Sequence, residues 1–491
     1  MDDRPERFAR GRIDRLDRNY PRDRPRGDRS LPWPHPMTQS PEPVPNPEPK
    51  EPGFAQPESN QPASNQPESH QPERNLLWRP VLGLAGLQGA ISLAWVLYRF
   101  YLPQLLAAVG LPGVNRAVLI LEDGLAAVLE PVIGGLSDRA RLRVGSRYPL
   151  VVAGVGLTVL MFGAMVAAAL GRGAIIQGLL MVTVVLWAVA MAVFRSPAIA
   201  LIGQYALSSQ LPQANSLLVL SAGLVGAVAP LARDRVLQLG PAYAFGLGSL
   251  ALVAAAGVLQ LAGPDRVLGA SAVAQHRPGP IRWGEVVRLL GLGAAVGWGL
   301  RLFFGIVPAA LQSQLPQWPG SVIGLGVGLT VAIGALVMGL LAGRWGNRSV
   351  MLAGAIALGM GLPMLTLPQL EIITWPLALV MMVAWAGLFN GGIPLAIDLM
   401  PDRVGLGIGC FFGGFAAVNA LLSATGLPLH PGQAAGSFAV AAGWLIWSPA
   451  ATGPIEPIEF IEPIKSPNSA THSVTNSEPN NPPTKGDGPL D

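Results

Sequence analysis

Twelve apolar stretches follow one another through most of this chain, roughly 79–107, 114–136, 149–170, 174–194, 213–232, 241–262, 284–311, 320–342, 349–369, 374–396, 404–424 and 433–448. Most reach the ~20 residues that a helix needs to cross the hydrocarbon of a bilayer. In lipid every backbone N–H and C=O must be satisfied inside the protein, which leaves the helix as the natural form for such runs. The expected fold is therefore an all-α membrane protein of twelve transmembrane helices. Only 13% of the 491 residues are charged, against about 25% in an ordinary soluble chain, and many of those charges lie in the tails.

The tails read differently. Residues 1–77 mix arginines with acids, turn proline-rich, and then repeat five residues at a time in "QPESNQPASNQPESHQPERN", from Gln56 to Asn75. Residues 449–491 return to Pro, Asn, Ser and Glu. Neither can build a core, and both are expected to be disordered. The N-terminal tail lacks the apolar centre of a signal peptide, and Met37 offers an alternative start.

Several chemistries are not expected. The single cysteine, Cys410, rules out an intrachain disulfide and a CxxC metal site. The five histidines are scattered, and no GxxxxGK[ST] phosphate loop occurs. No cofactor, no metal and no enzymatic activity are expected. The net charge of +4 fits basic residues facing the cytoplasm better than it fits nucleic acid.

Placing both termini inside puts Arg139, Arg141, Arg143, Arg147, Arg195, Arg266, Arg277, Arg282, Arg344, Arg348 and Arg403 in inner loops. The outer loops then hold Arg116, Arg172, Arg233 and Arg235, so the positive-inside rule predicts cytoplasmic termini in a plasma (inner) membrane. The chain also repeats. Pro103 and Pro308 are 205 residues apart, and so are Gly134, which opens "GGLSDR", and Gly339, which opens "GLLAGR". Two six-helix halves, 78–262 and 284–448, are expected around a central cytoplasmic loop at 263–283. Parallel halves of this kind mark one transporter architecture, with the site at the interface.

"GGLSDRARLRVGSRYP" resembles the loop between spans two and three of the major facilitator superfamily. More narrowly, it is similar to the version in the sucrose:proton symporters and the glycoside–pentoside–hexuronide:cation symporters. "FRSPAIALIGQYALSSQLPQANS" and "NGGIPLAIDLMP" resemble the family's fourth and tenth spans, and together the matches cover about residues 80–425. The chain departs from the pattern at Gly203/Gln204 and Gly343, where acids are expected, and at Ala126, the family's second acid of span two.

Span two carries "LILEDGLAAVLEPVIGG", and acids at this depth are costly and rarely idle. Asp123 and Glu130 are seven residues apart, on nearly the same helix face. The resemblance places Glu130, just before Pro131, on the site of the coupling acid. One carboxylate that gains and loses a proton suits H⁺ better than Na⁺. The alternative is a structural acid neutralised by an arginine. Glu122 and Asp123 are read as binding or outer-gate acids. Arg99 and Arg301 are candidate partners, with Trp298 among the nearby aromatics. The resemblance implies a gate at the cytoplasmic ends of the helices, formed by Asp138, Arg139, Arg147, Arg195 and Asp398. The leading expectation is a monomeric, proton-coupled transporter of a small polar solute, a sugar or glycoside. The alternatives are an exporter or facilitator, or a non-transporting assembly or sensor protein on the same fold.

Overall fold

The computed structural model describes residues 76–171, 173–265, 280–367, 372–428 and 430–447. The two tails and most of the central loop lie outside the described residues. Twelve long helices of 16 to 32 residues run through the rest: α1 (Trp78–Ala108), α2 (Asn115–Val144), α3 (Tyr148–Ala169), α4 (Ala174–Ala200), α6 (Leu211–Leu239), α7 (Pro241–Ala262), α8 (Trp283–Gln314), α9 (Gly320–Trp345), α10 (Asn347–Met364), α11 (Thr374–Leu399), α12 (Val404–Thr425) and α13 (Gly432–Trp447). One short helix, α5 (Ile202–Tyr205), follows α4 almost directly.

Among the described residues, nine helices are long and apolar enough to cross a membrane. The acids and arginines of α2, the shortness of α13 and the modest apolarity of α10 keep those three outside that set. All three still pack among the others, so twelve spans fit the fold.

The packing repeats. α1 lies against α6 and α7, as α8 lies against α12 and α13. α3 packs on α4 and α7, as α10 packs on α11 and α13, and α2 meets α4 as α9 meets α11. The aromatic cores repeat too. Trp187 of α4 stacks on Tyr98 of α1 at 4.0 Å, and Trp385 of α11 stacks on Phe303 of α8 at 5.2 Å. The paired prolines, Pro103 and Pro308, sit inside α1 and α8.

Two seams join the two sets of helices, α2 with α12 and α6 with α9. Both are lined by small residues, which let backbones approach where lipid gives no hydrophobic drive to associate. On α12, a Cβ at Gly405, Gly409 or Gly413 would run into the backbone of α2 at Gly134, Glu130 or Ala127. In the other seam, Gly223 meets Ala332 and Gly328 meets Ala227.

Candidate functional site

A cavity of about 210 Å³ opens between α1, α2, α4 and α12. Trp95 and Arg99 come from α1, Glu122, Asp123, Ala126 and Glu130 from α2, and Arg195 from α4. From α12 come only Phe415 and Ala416, so the charged chemistry comes from the first set of helices.

Glu130 is 2% exposed and fully engaged. Its Oε1 pairs with Arg195 Nη2 at 2.7 Å, and its Oε2 accepts a hydrogen bond from Ser196 Oγ. The Arg195 guanidinium lies over the Phe412 ring at 4.6 Å. Arg195 therefore sits in the cavity beside Glu130. Asp398 is half-buried and faces the Ser208 side chain. Glu122 accepts a hydrogen bond from the Tyr98 hydroxyl, while its Oε2 is buried without a donor among the described residues. Asp123 lines the cavity within the field of Arg99, Arg301 and Arg195.

Arg301 does not line the cavity. It reaches α12, donating from Nε to Asn419 Oδ1 at 2.8 Å and from Nη2 to Ser423 Oγ at 2.5 Å. Arg116 also donates to the Ser423 carbonyl, at 2.7 Å. Trp298 packs against the apolar core, and its indole N–H has no partner among the described residues. Arg99 is exposed in the cavity with its guanidinium 5.7 Å from the Trp95 ring centre.

At the arginine-rich end, Asp138 makes three bonds. Oδ1 takes Arg147 Nη2 at 2.6 Å and the Gly405 backbone N–H at 2.8 Å, and Oδ2 takes the Leu406 N–H at 2.9 Å. It thus caps the start of α12, satisfying two orphan donors at the positive end of the helix. Arg139 is exposed and takes no part in this latch. In the other seam, Asn215 Nδ2 of α6 donates to the Asn390 carbonyl of α11 at 2.8 Å, and Asn390 Nδ2 donates back to the Pro212 carbonyl at 3.0 Å. Ser196, Asn215 and Asn390 escape a reading based on charge. The only signal in the sequence is a lone polar residue inside an apolar span, which in lipid must find a partner.

The bundle has two sets of helices joined at paired seams, with the charged residues of the first set gathered at one cavity. No protein-family model matches the chain, and no curated protein does either. Solved structures share its fold. It is similar to a bacterial homologue of the iron transporter ferroportin in an outward-facing state, at 17% identity and TM-score 0.55, covering 75% of this chain and 97% of that one. The outward-conformation structure of FucP, a major facilitator superfamily transporter, has 15% identity and TM-score 0.56, covering 75% and 98%. The human organic anion transporter MFSD10 has 16% identity and TM-score 0.51, covering 76% and 100%.

Proposed function

We propose that this protein is a secondary active transporter that moves a small polar solute, a sugar or glycoside, by alternating access with proton coupling at Glu130. The observation that carries the reading is the Glu130–Arg195 pair: a carboxylate 2% exposed, at the wall of the cavity, with its counter-charge on a different helix. Protonating Glu130 would break a bond between α2 and α4 and release Arg195 into the cavity, which gives proton uptake a mechanical consequence. FucP, one of the structural neighbours, is a fucose:proton symporter. We place both termini in the cytoplasm of the inner membrane. The two halves then rock about the α2–α12 and α6–α9 seams, with the protein working as a monomer.

A second reading is favoured by the same residues. With Arg195 and Ser196 both bound to it, Glu130 has the full complement of a structural ion pair. On that reading the protein is a facilitator or exporter, and the pair braces α2 against α4. Uptake into proteoliposomes, with a panel of sugars and imposed pH or Na⁺ gradients, separates the two. Accumulation that follows the pH gradient supports coupling; accumulation of no sugar under any gradient removes it.

A further inference from the structure

The cavity holds two opposite charges with no bonded partner among the described residues. Arg99 of α1 and Asp123 of α2 both line it, and neither makes a hydrogen bond or an ion pair among the described residues, though each lies in the other's field. Two more lining residues carry a buried polar atom without a partner among the described residues, the Trp95 indole N–H and Glu122 Oε2. Glu122 is 3% exposed. The Glu130–Arg195 pair is different, since Glu130 has both oxygens bonded.

Around one void, then, stand a donor, Arg99, and an acceptor, Asp123, with the Trp95 N–H and Glu122 Oε2 buried in its wall. Buried polar groups are costly when unmet, so a ligand that matches them is favoured over one that does not. Charge narrows the choice. The Arg99 guanidinium and the Asp123 carboxylate offset one another, and a solute with no net charge preserves that balance. Hydroxyl groups suit such a lining, because each donates one hydrogen bond and accepts up to two. Neighbouring hydroxyls can accept from the Arg99 fork and donate to Asp123 together.

We propose that Arg99 and Asp123 are the specificity pair of this cavity, bridged by adjacent hydroxyls of a solute with no net charge, and that this station is separate from the Glu130–Arg195 pair. The proposal rests on the transport reading above. The amide and backbone contacts of Arg301 on α12 keep that arginine out of the pair.

The test is binding by the purified full-length protein in nanodiscs, at one pH and without a gradient. Calorimetry would use sucrose and mannitol as neutral polyols, gluconate as an anion, glucosamine as a cation and alanine as a zwitterion. The expected result is binding of a neutral polyol in preference to the three others, weakened at least tenfold in Arg99→Gln and in Asp123→Asn. Arg99→Lys keeps the charge without the fork. It should fall between wild type and Arg99→Gln, and it serves where the glutamine variant fails to fold. Preference for gluconate, glucosamine or alanine overturns the proposal. So does polyol binding that the variants do not change, or no binding by any of the five. Uptake by wild-type liposomes under a pH gradient reports on coupling alone. Polyol binding without gradient-driven uptake would remove the coupling reading and leave the specificity pair standing.

Discussion

Asp138 of α2 caps α12 in its first turn, its Oδ1 accepting the Gly405 N–H at 2.8 Å while Arg147 holds the same oxygen at 2.6 Å. The bond joins two residues 267 positions apart in the chain and closes the α2–α12 seam at its arginine-rich end. Asp138→Ala removes the cap and leaves Arg147, 2% exposed, without its counter-charge. Losing one partner of a buried pair costs about 3–5 kcal/mol. The seam should part at this end. Spin labels at Arg143 and Asp402, in a Cys410→Ser background, should report a longer and broader distance distribution than in the parent protein. An unchanged distribution would show that the latch holds nothing shut.

The repeat places Gly343 where a second such aspartate would stand, 205 residues after Asp138. The structure shows why an acid would not work there. A Cβ at Gly343 would lie 2.7 Å from Gln213 Nε2, and the helix start it faces contains Pro212, which has no N–H to give. Gly343→Asp should therefore build no second latch. The added side chain would crowd Gln213 and the Ser209 carbonyl oxygen; overpacking costs about 1–3 kcal/mol, so the thermal unfolding midpoint should fall. Adding Pro212→Ala restores a donor and should recover part of the loss. A rise in the midpoint with Gly343→Asp alone would contradict this account.

The Asp138–Arg147 pair was legible in the sequence because the two stand nine residues apart, at the end of α2 and the start of α3, so a short turn keeps them close; the α12 backbone that Asp138 also caps was not. Glu130 was legible as a buried acid because a charge inside an apolar run stands out. Its partner was not. Arg195 reads as an inner-end residue of the fourth span, but α4 runs on through Pro197 to Ala200, which carries Arg195 up to the cavity wall. Which residues of α2 and α4 meet depends on how two helices slide and rotate against each other, and linear spacing does not encode that. The same holds for Arg301 and Asn419, 118 residues apart and bonded at 2.8 Å. The aromatic stacks were visible as composition only.

Coupling and bracing by Glu130 predict different outcomes for one set of variants. Glu130→Gln keeps the Ser196 contact and removes the titrating group. If Glu130 couples, gradient-driven accumulation should fall at least tenfold while solute counterflow continues. Arg195→Gln instead leaves a 2% exposed carboxylate unpaired, which should cost about 3–5 kcal/mol. The double variant should be more stable than Arg195→Gln alone, since the orphaned charge is gone. Unfolding midpoints of the three proteins in detergent measure this. Additive losses would mean that the two residues do not interact.

Gly409 tests how tightly the seam must close. A Cβ there would meet the Glu130 carbonyl oxygen and the Pro131 backbone, so α12 could accept Gly409→Ala only by moving away from α2. Overpacking of this kind costs about 1–3 kcal/mol. The displacement falls at the residue that carries the Arg195 ion pair, so transport should fall together with stability. Gly436 supplies the control. It lies inside α13 with nothing within 4 Å of the place an added methyl would take, and alanine there should be neutral or should gain up to ~1 kcal/mol from helix propensity. Unfolding midpoints and initial uptake rates of the two variants, side by side, measure the difference. If Gly409→Ala matches Gly436→Ala in both, close contact of α2 and α12 is not what holds the Glu130 site in place.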